Sequence, residues 1–166
     1  SALLPLLRQM GAVVNLSSGC ITVRKGRLRA TDIDARPIPD LIPPLSVLAA
    51  AAEGESHIQN ARRLRYKESD RLQGIAELLN SLGGCLTVDG GSLLIHGVSH
   101  LQGGTVDPMG DHRLAMSAAL AALSADAPVT VRDADCVSKS YPAFWADFQS
   151  LKGEAPCPAP SETPSV

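Results

Sequence analysis

Gly19-Cys20-Ile21-Thr22-Val23 and Gly91-Ser92-Leu93-Leu94-Ile95 are two versions of one pattern, a glycine followed by a short β-prone run, and they lie 72 positions apart. The same offset carries Met10-Gly11 onto Leu82-Gly83 and His57-Ile58 onto Val129-Thr130. An offset that does not drift along the chain identifies an internal repeat before any secondary structure is assigned. Around the quoted stretches each unit reads as a helix ending at glycine, two short strands about a Gly turn, a third strand, a small-residue helix and a closing strand. Leu72, Ile75, Leu79 and Leu82 form an apolar stripe at helical spacing, and Gly83 follows where a helix C-terminus favours glycine. The offset predicts the same helix over Leu3–Met10 and Phe144–Leu151, with Leu7, Leu79 and Leu151 equivalent.

The expected fold class is therefore mixed α/β, built from repeated βαβαββ-type units whose helices face inward. The segment from Leu114 to Ala125 is Ala, Leu and Met on nearly every side, so it is expected to be a buried helix. Residues 1–153 make one expected domain, with repeat units at about 10–81 and 82–153. The Pro- and small-residue-rich stretch 154–166 reads as a mobile tail.

Composition excludes several function classes. A formal charge of -2 gives no global attraction to nucleic acid. The uncharged, mostly apolar runs Leu41–Ala52 and Leu114–Ala125 are 12 residues each, short of the roughly 20 a bilayer span needs. Cys20, Cys85, Cys136 and Cys157 show no metal-ligand spacing, and three of them adjoin apolar stretches, as reduced cysteines acting as small core residues do. With no secretion signal in the opening residues, the expected location is the cytoplasm.

Polar residues that suggest chemistry gather in four places. Arg62, Arg63, Arg65 and Lys67 put four cations just ahead of a helix N-terminus, an arrangement that repels itself unless anions join it. Helical spacing would put Lys67, Glu68 and Arg71 on one face. In Gly110-Asp111-His112-Arg113, Asp111 reads as the N-cap of the small-residue helix, and Arg113 falls in its first turn. Asp40, in Pro39-Asp40, also reads as an N-cap, and Lys139 lies in a loop leading into the last helix. The repeat relates Asp40 to position 112 and Lys67 to Lys139, so two copies of one unit carry polar residues at matching places.

Tyr66-Lys67-Glu68-Ser69-Asp70-Arg71-Leu72, Gly110-Asp111-His112-Arg113-Leu114-Ala115-Met116, Ser138-Lys139-Ser140-Tyr141-Pro142 and Pro39-Asp40 together resemble the EPSP synthase family, the 3-phosphoshikimate 1-carboxyvinyltransferases. The resemblance runs from about Leu3 to Gly153. It implies an inside-out α/β barrel in a two-domain enzyme of the shikimate pathway, with this chain in the C-terminal domain and the N-terminal domain absent. The implied substrates are phosphoenolpyruvate and shikimate-3-phosphate, with no cofactor and no metal. By the same resemblance Asp40 binds the reacting 5-hydroxyl and is a candidate base, Lys67 contacts that hydroxyl and phosphoenolpyruvate, and Glu68 gives and takes a proton at the methylene carbon. Arg71, Arg113 and Lys139 hold the carboxylate and phosphate of phosphoenolpyruvate, with His112 beside them. Arg63 stands in a shikimate-phosphate contact position where the family often has a small polar residue. The chain alone is expected to be inactive. The rival readings are a UDP-N-acetylglucosamine enolpyruvyl transferase, which lacks this pairing of motifs, and a non-catalytic phosphate-binding domain.

Overall fold

The computed structural model describes residues 2–151, so the tail expected at 154–166 lies outside the described residues. The chain runs α1 (Leu3–Gln9), β1 (Val13–Ser17), β2 (Cys20–Arg24), β3 (Ile33–Asp34), α2 (Ile42–Ala50) and β4 (Glu55–Gln59). It continues with α3 (Arg71–Ser81), β5 (Cys85–Asp89), β6 (Ser92–His96), β7 (Gly104–Val106), α4 (His112–Ala122), β8 (Val129–Val131) and α5 (Phe144–Ser150). Short 3₁₀ turns precede α2, α3 and α5.

Elements of the first half reappear 72 residues later. Val13–Ser17 maps onto Cys85–Asp89, and Cys20–Arg24 onto Ser92–His96, residue for residue. The parallel partners Ile33 and Ile58 recur as Thr105 and Thr130, and the isolated bridge from Arg29 to Glu53 recurs from Leu101 to Ala125. Even the helix endings match. At the end of α3 Gly84 N–H donates to Leu79 O and Gly83 N–H to Asn80 O, while at the end of α1 Ala12 N–H donates to Leu7 O and Gly11 N–H to Arg8 O. This ending needs a left-handed residue, and Gly83 (φ 76°) and Gly11 (φ 97°) supply it.

The two halves join through one sheet of order β3-β4-β6-β5. There the hairpin of the second half pairs antiparallel with the closing strand of the first, Glu55 opposite His96. Helices α2, α3 and α4 pack on one another, α2 and α3 also on this sheet and α4 on β8, so the fold is the α/β class with internally packed helices. The stripe Leu72, Ile75, Leu79 and Leu82 is wholly buried. Pro43 and Pro44 sit in the first turn of α2, where a missing N–H breaks no helical bond. Among the described residues, no helix is long and apolar enough to cross a membrane.

Two sequence expectations need correction. Cys20 and Cys85 are exposed and Cys136 is half-buried, so none is a core residue; each exposed one opens a strand of a hairpin whose outer face is open. Burial of the small-residue helix is also incomplete. Leu114, Ala115, Ala118 and Ala121 face the core, but Leu120 and Leu123, at its C-terminal end, remain 37% and 66% exposed. Among the described residues no element covers that side, and Leu7, Leu28, Leu48, Val98 and Leu123 line the apolar grooves beside it.

Gly74 sets the distance between α3 and α4. A Cβ there would meet Leu114 Cδ1 at 2.4 Å and Met109 Cε at 2.7 Å. Gly74→Val gains a few tenths of a kcal/mol in helix propensity and loses about 1–3 kcal/mol to overpacking. Urea denaturation followed by circular dichroism should therefore show a net loss of stability.

Candidate active site

Two helix starts and three 3₁₀ turns deliver the polar residues. Asp40 lies in the turn Pro39–Leu41, but Leu41 is the N-cap of α2 and Asp40 caps nothing, which corrects the sequence expectation. Its carboxylate turns instead toward three cations. Lys67 ends the turn Arg62–Tyr66 in an extended conformation, and Glu68 and Ser69 follow in a loop. Asp70 then caps α3 by accepting the Gln73 N–H at 3.1 Å. The shared helix face expected for Lys67, Glu68 and Arg71 is therefore not formed, because that cap starts the helix at Arg71. Glu68 reaches Arg71 from the loop, and Lys67 joins them through Asp40, whose Oδ1 faces both Lys67 and Arg71.

Arg71 is the centre of the site. Its side chain is fully buried, an unusual position for a guanidinium unless each face is paired. Nε donates to Asp111 Oδ2 at 2.7 Å and Nη2 to Asp111 Oδ1 at 3.3 Å. Nη1 donates to Asp40 Oδ1 at 2.9 Å, and Nη2 also donates to Glu68 Oε2. Asp111 is as buried as Arg71, whereas the Asp40 and Glu68 side chains are 47% and 48% exposed. Arg71 thus has a buried partner on one side and two acids at the solvent boundary on the other.

Asp40 gathers the remaining cations. Lys67 Nζ lies 3.4 Å from its Oδ1 and Arg113 Nη2 lies 3.3 Å from its Oδ2, while Arg113 Nη1 donates to the Asp40 carbonyl at 3.3 Å. Lys139 ends its own 3₁₀ turn, matching Lys67 in the other half, and donates to Gly110 O at 3.1 Å beside the start of α4. His112 is buried at 7% exposure; its Nδ1 and the Arg113 Nε are buried without a hydrogen-bond partner among the described residues. Arg63 is exposed and makes no ion pair or hydrogen bond among the described residues. The structure thus brings together Asp40, Lys67, Glu68, Arg71 and Arg113, places His112 and Lys139 at the start of α4, and leaves Arg63 outside the bonded cluster.

Sequence reading treated Asp111 as a cap and nothing more. The cap is real, since Oδ1 accepts the Arg113 N–H at 2.9 Å. The same carboxylate also accepts from Ser69 Oγ at 3.1 Å and from Arg71. Burial alone would push the Asp111 carboxyl up, but the Arg71 hydrogen bond and the Arg113 N–H outweigh it and hold it below the usual carboxylate range. Asp40 follows the same balance: burial pushes it up, Arg113 and Lys67 pull it further down, and the net shift is downward. Burial would lower Arg71, yet Asp111 and Glu68 raise it. Chemically the arrangement can cradle an anion: its cations are neutralised by carboxylates, and two of those carboxylates lie at the open side.

Repeated α/β units with packed helices, carrying such a cradle at the helix starts, define an enolpyruvyl-transferase type of domain. The EPSP synthase of Acinetobacter baumannii superposes with a TM-score of 0.76 at 28% identity, over 92% of this chain and 39% of that one. The enolpyruvyl transferase NikO of Streptomyces tendae gives 0.74 at 25% identity, over 92% and 35%. The profile of the EPSP synthase (3-phosphoshikimate 1-carboxyvinyltransferase) family matches residues 1–148, and the chain belongs to that family. It is 44% identical over 152 residues to the 3-phosphoshikimate 1-carboxyvinyltransferase of Clostridium acetobutylicum and 46% over 153 residues to that of Methanocella arvoryzae, covering 92% and 91% of this chain. The chain spans about a third of the length of those relatives, 35% and 36%.

The Asp111 pairing fixes a pH dependence. The unfolded carboxyl titrates near 3.9 and the folded one lower, so in acid the unfolded chain binds more protons. The stability this pair contributes is present above about pH 5 and is lost as pH falls below about 4. Urea midpoints measured from pH 7 to 3 should decline at the acid end, and Asp111→Asn should make the decline shallower while lowering the plateau.

Proposed function

We propose that this chain supplies the phosphoenolpyruvate-binding wall of a 3-phosphoshikimate 1-carboxyvinyltransferase, which moves the enolpyruvyl group of phosphoenolpyruvate onto the 5-hydroxyl of shikimate-3-phosphate and releases phosphate. The observation that carries the reading is the convergence of Lys67, Arg71 and Arg113 on Asp40, with Glu68 on the same guanidinium. Phosphoenolpyruvate brings a carboxylate and a phosphate, and cations already in place need no reorganisation when they take over those charges.

The residues divide the work. Glu68 delivers a proton to the methylene carbon, which makes the adjacent carbon electrophilic. The 5-hydroxyl attacks that carbon and gives its proton to Asp40. Glu68 then withdraws a proton from the new methyl group, the double bond re-forms, and the carbon–oxygen bond to phosphate breaks. Arg71 and Arg113 hold the carboxylate, while Lys67 and Lys139 neutralise the departing phosphate. Arg63, exposed outside the bonded cluster, is assigned to the phosphate of shikimate-3-phosphate.

The rest of the enzyme has a surface to meet here. Ile21 and Val23 are 55% and 53% exposed, while Leu93 and Ile95, their counterparts in the second half, are buried at 1% and 0%. The buried pair lies on β6, whose edge is taken by β4, whereas among the described residues β2 pairs with β1 alone. We read β2 and the apolar grooves beside it as the seat of further α/β structure, and the wall opposite Asp40 as belonging to an N-terminal domain. Exposed, unpaired Cys20 and Cys85 favour a reducing compartment, the cytoplasm.

The test joins this chain to a matching N-terminal domain and measures phosphate release from phosphoenolpyruvate with shikimate-3-phosphate as acceptor. Release is expected from the joined protein and none from the chain alone, and Lys67→Ala should cut the rate by about 10²–10³-fold. Release with UDP-N-acetylglucosamine in place of shikimate-3-phosphate supports the rival transferase. No release at all, or none lost in the Lys67 variant, defeats the reading.

A further inference from the structure

We propose that Asp111, which contacts no substrate, is the positioning residue of the anion site: it fixes the Arg71 guanidinium edge-on, so that its two terminal nitrogens face the cleft. The geometry separates this role from both catalysis and simple capping. A carboxylate has about four acceptor positions, and all four of Asp111 are taken. Oδ2 accepts from Arg71 Nε and Ser69 Oγ, and Oδ1 from Arg113 N–H and Arg71 Nη2. With its side chain fully buried, it has neither a free lone pair nor a path for a proton. It is equipped to hold, not to react.

What it holds is directional. A guanidinium has an Nε edge and an Nη end. Asp111 occupies the edge, which directs Nη1 and Nη2 to Asp40 and Glu68 at the solvent boundary. Those two acids are half-exposed, whereas Asp111 is buried and tied to three other groups. An arriving carboxylate therefore exchanges with Asp40 or Glu68, and Arg71 keeps its orientation through the exchange. Ser69 belongs to the same device: its hydroxyl ties the loop that carries Lys67 and Glu68 to the start of α4.

The inference rests on the phosphoenolpyruvate reading, and its test is a double-mutant cycle in the enzyme joined to its N-terminal domain, with kcat and KM for phosphoenolpyruvate read separately. D111N keeps a residue that can cap α4 and removes the charge opposite Arg71. KM should rise about tenfold or more, the scale on which removing a group that orients a ligand-binding side chain acts. The value of kcat should change less than about threefold, because a contact made equally in ground and transition states enters KM. In an R71Q background the D111N effect should vanish, and S69A alone should raise KM by a few-fold. A D111N enzyme that loses kcat with KM unchanged, or loses the same factor with R71Q present, overturns the proposal. If D111N does not fold, S69A in the same cycle decides by the same criteria. An unmodified enzyme that releases no phosphate defeats the functional reading instead. Exchange of the Arg71 Nε proton in the full chain then decides the positioning: slow in the unmodified chain and fast in S69A supports it, and equal rates overturn it.

Discussion

The buried ion pair between Arg71 and Asp111 is the constraint on which the site depends. Both side chains are inaccessible to solvent, and removing two charges from water costs several kcal/mol each unless pairing and hydrogen bonds offset it. The offset here comes from geometry. Arg71 opens α3 and Asp111 caps α4, so the pair forms only if the two helices start side by side. Gly74 permits that approach, since any side chain at its position would meet Leu114 and Met109. The packing of two helices and the aim of one guanidinium are thus one fact. Relative to an apolar pair its contribution to stability is modest or unfavourable, so stability alone does not account for it.

The repeat explains why chemistry gathers at this edge. Each half ends its closing strand in a 3₁₀ turn that finishes in a lysine, Lys67 in one and Lys139 in the other. Each half also starts its inner helix near an acid, Asp40 or Asp111. Packing one half on the other brings both sets to the same end of the helices, where the offset matches Asp40 to His112 and Asp111 stands one position earlier. Asp111 is buried and saturated with hydrogen bonds, while Asp40 stays half-exposed and holds three cations.

Much of this was legible in the sequence, for definite reasons. The repeat offset placed the strands correctly because β-pairing and helix endings are local and recur with their glycines, as Gly11 and Gly83 do. The cations and acids of the site were named because they stand in compact motifs. Three things were hidden. The loop geometry of Lys67 and Glu68 depends on the Asp70 cap, which outweighs helical spacing. The outward turn of Asp40 depends on Arg113, 73 residues away. The second role of Asp111 depends on Arg71, 40 residues away in sequence, and a cap signal gives no hint of a partner at that distance. The cysteines misled because an apolar neighbourhood in sequence is not burial when a strand lies in an open hairpin.

The central claim is that Arg71 keeps one fixed carboxylate and trades two exchangeable ones for the ligand. Carboxyl-carbon NMR of the chain joined to its N-terminal domain, titrated with phosphoenolpyruvate, addresses it most directly. The account requires the side-chain carboxyl signals of Asp40 and Glu68 to move with ligand occupancy while that of Asp111 stays in place. Movement of Asp111 with the other two, or a ligand that binds with Asp40 and Glu68 undisturbed, would contradict it.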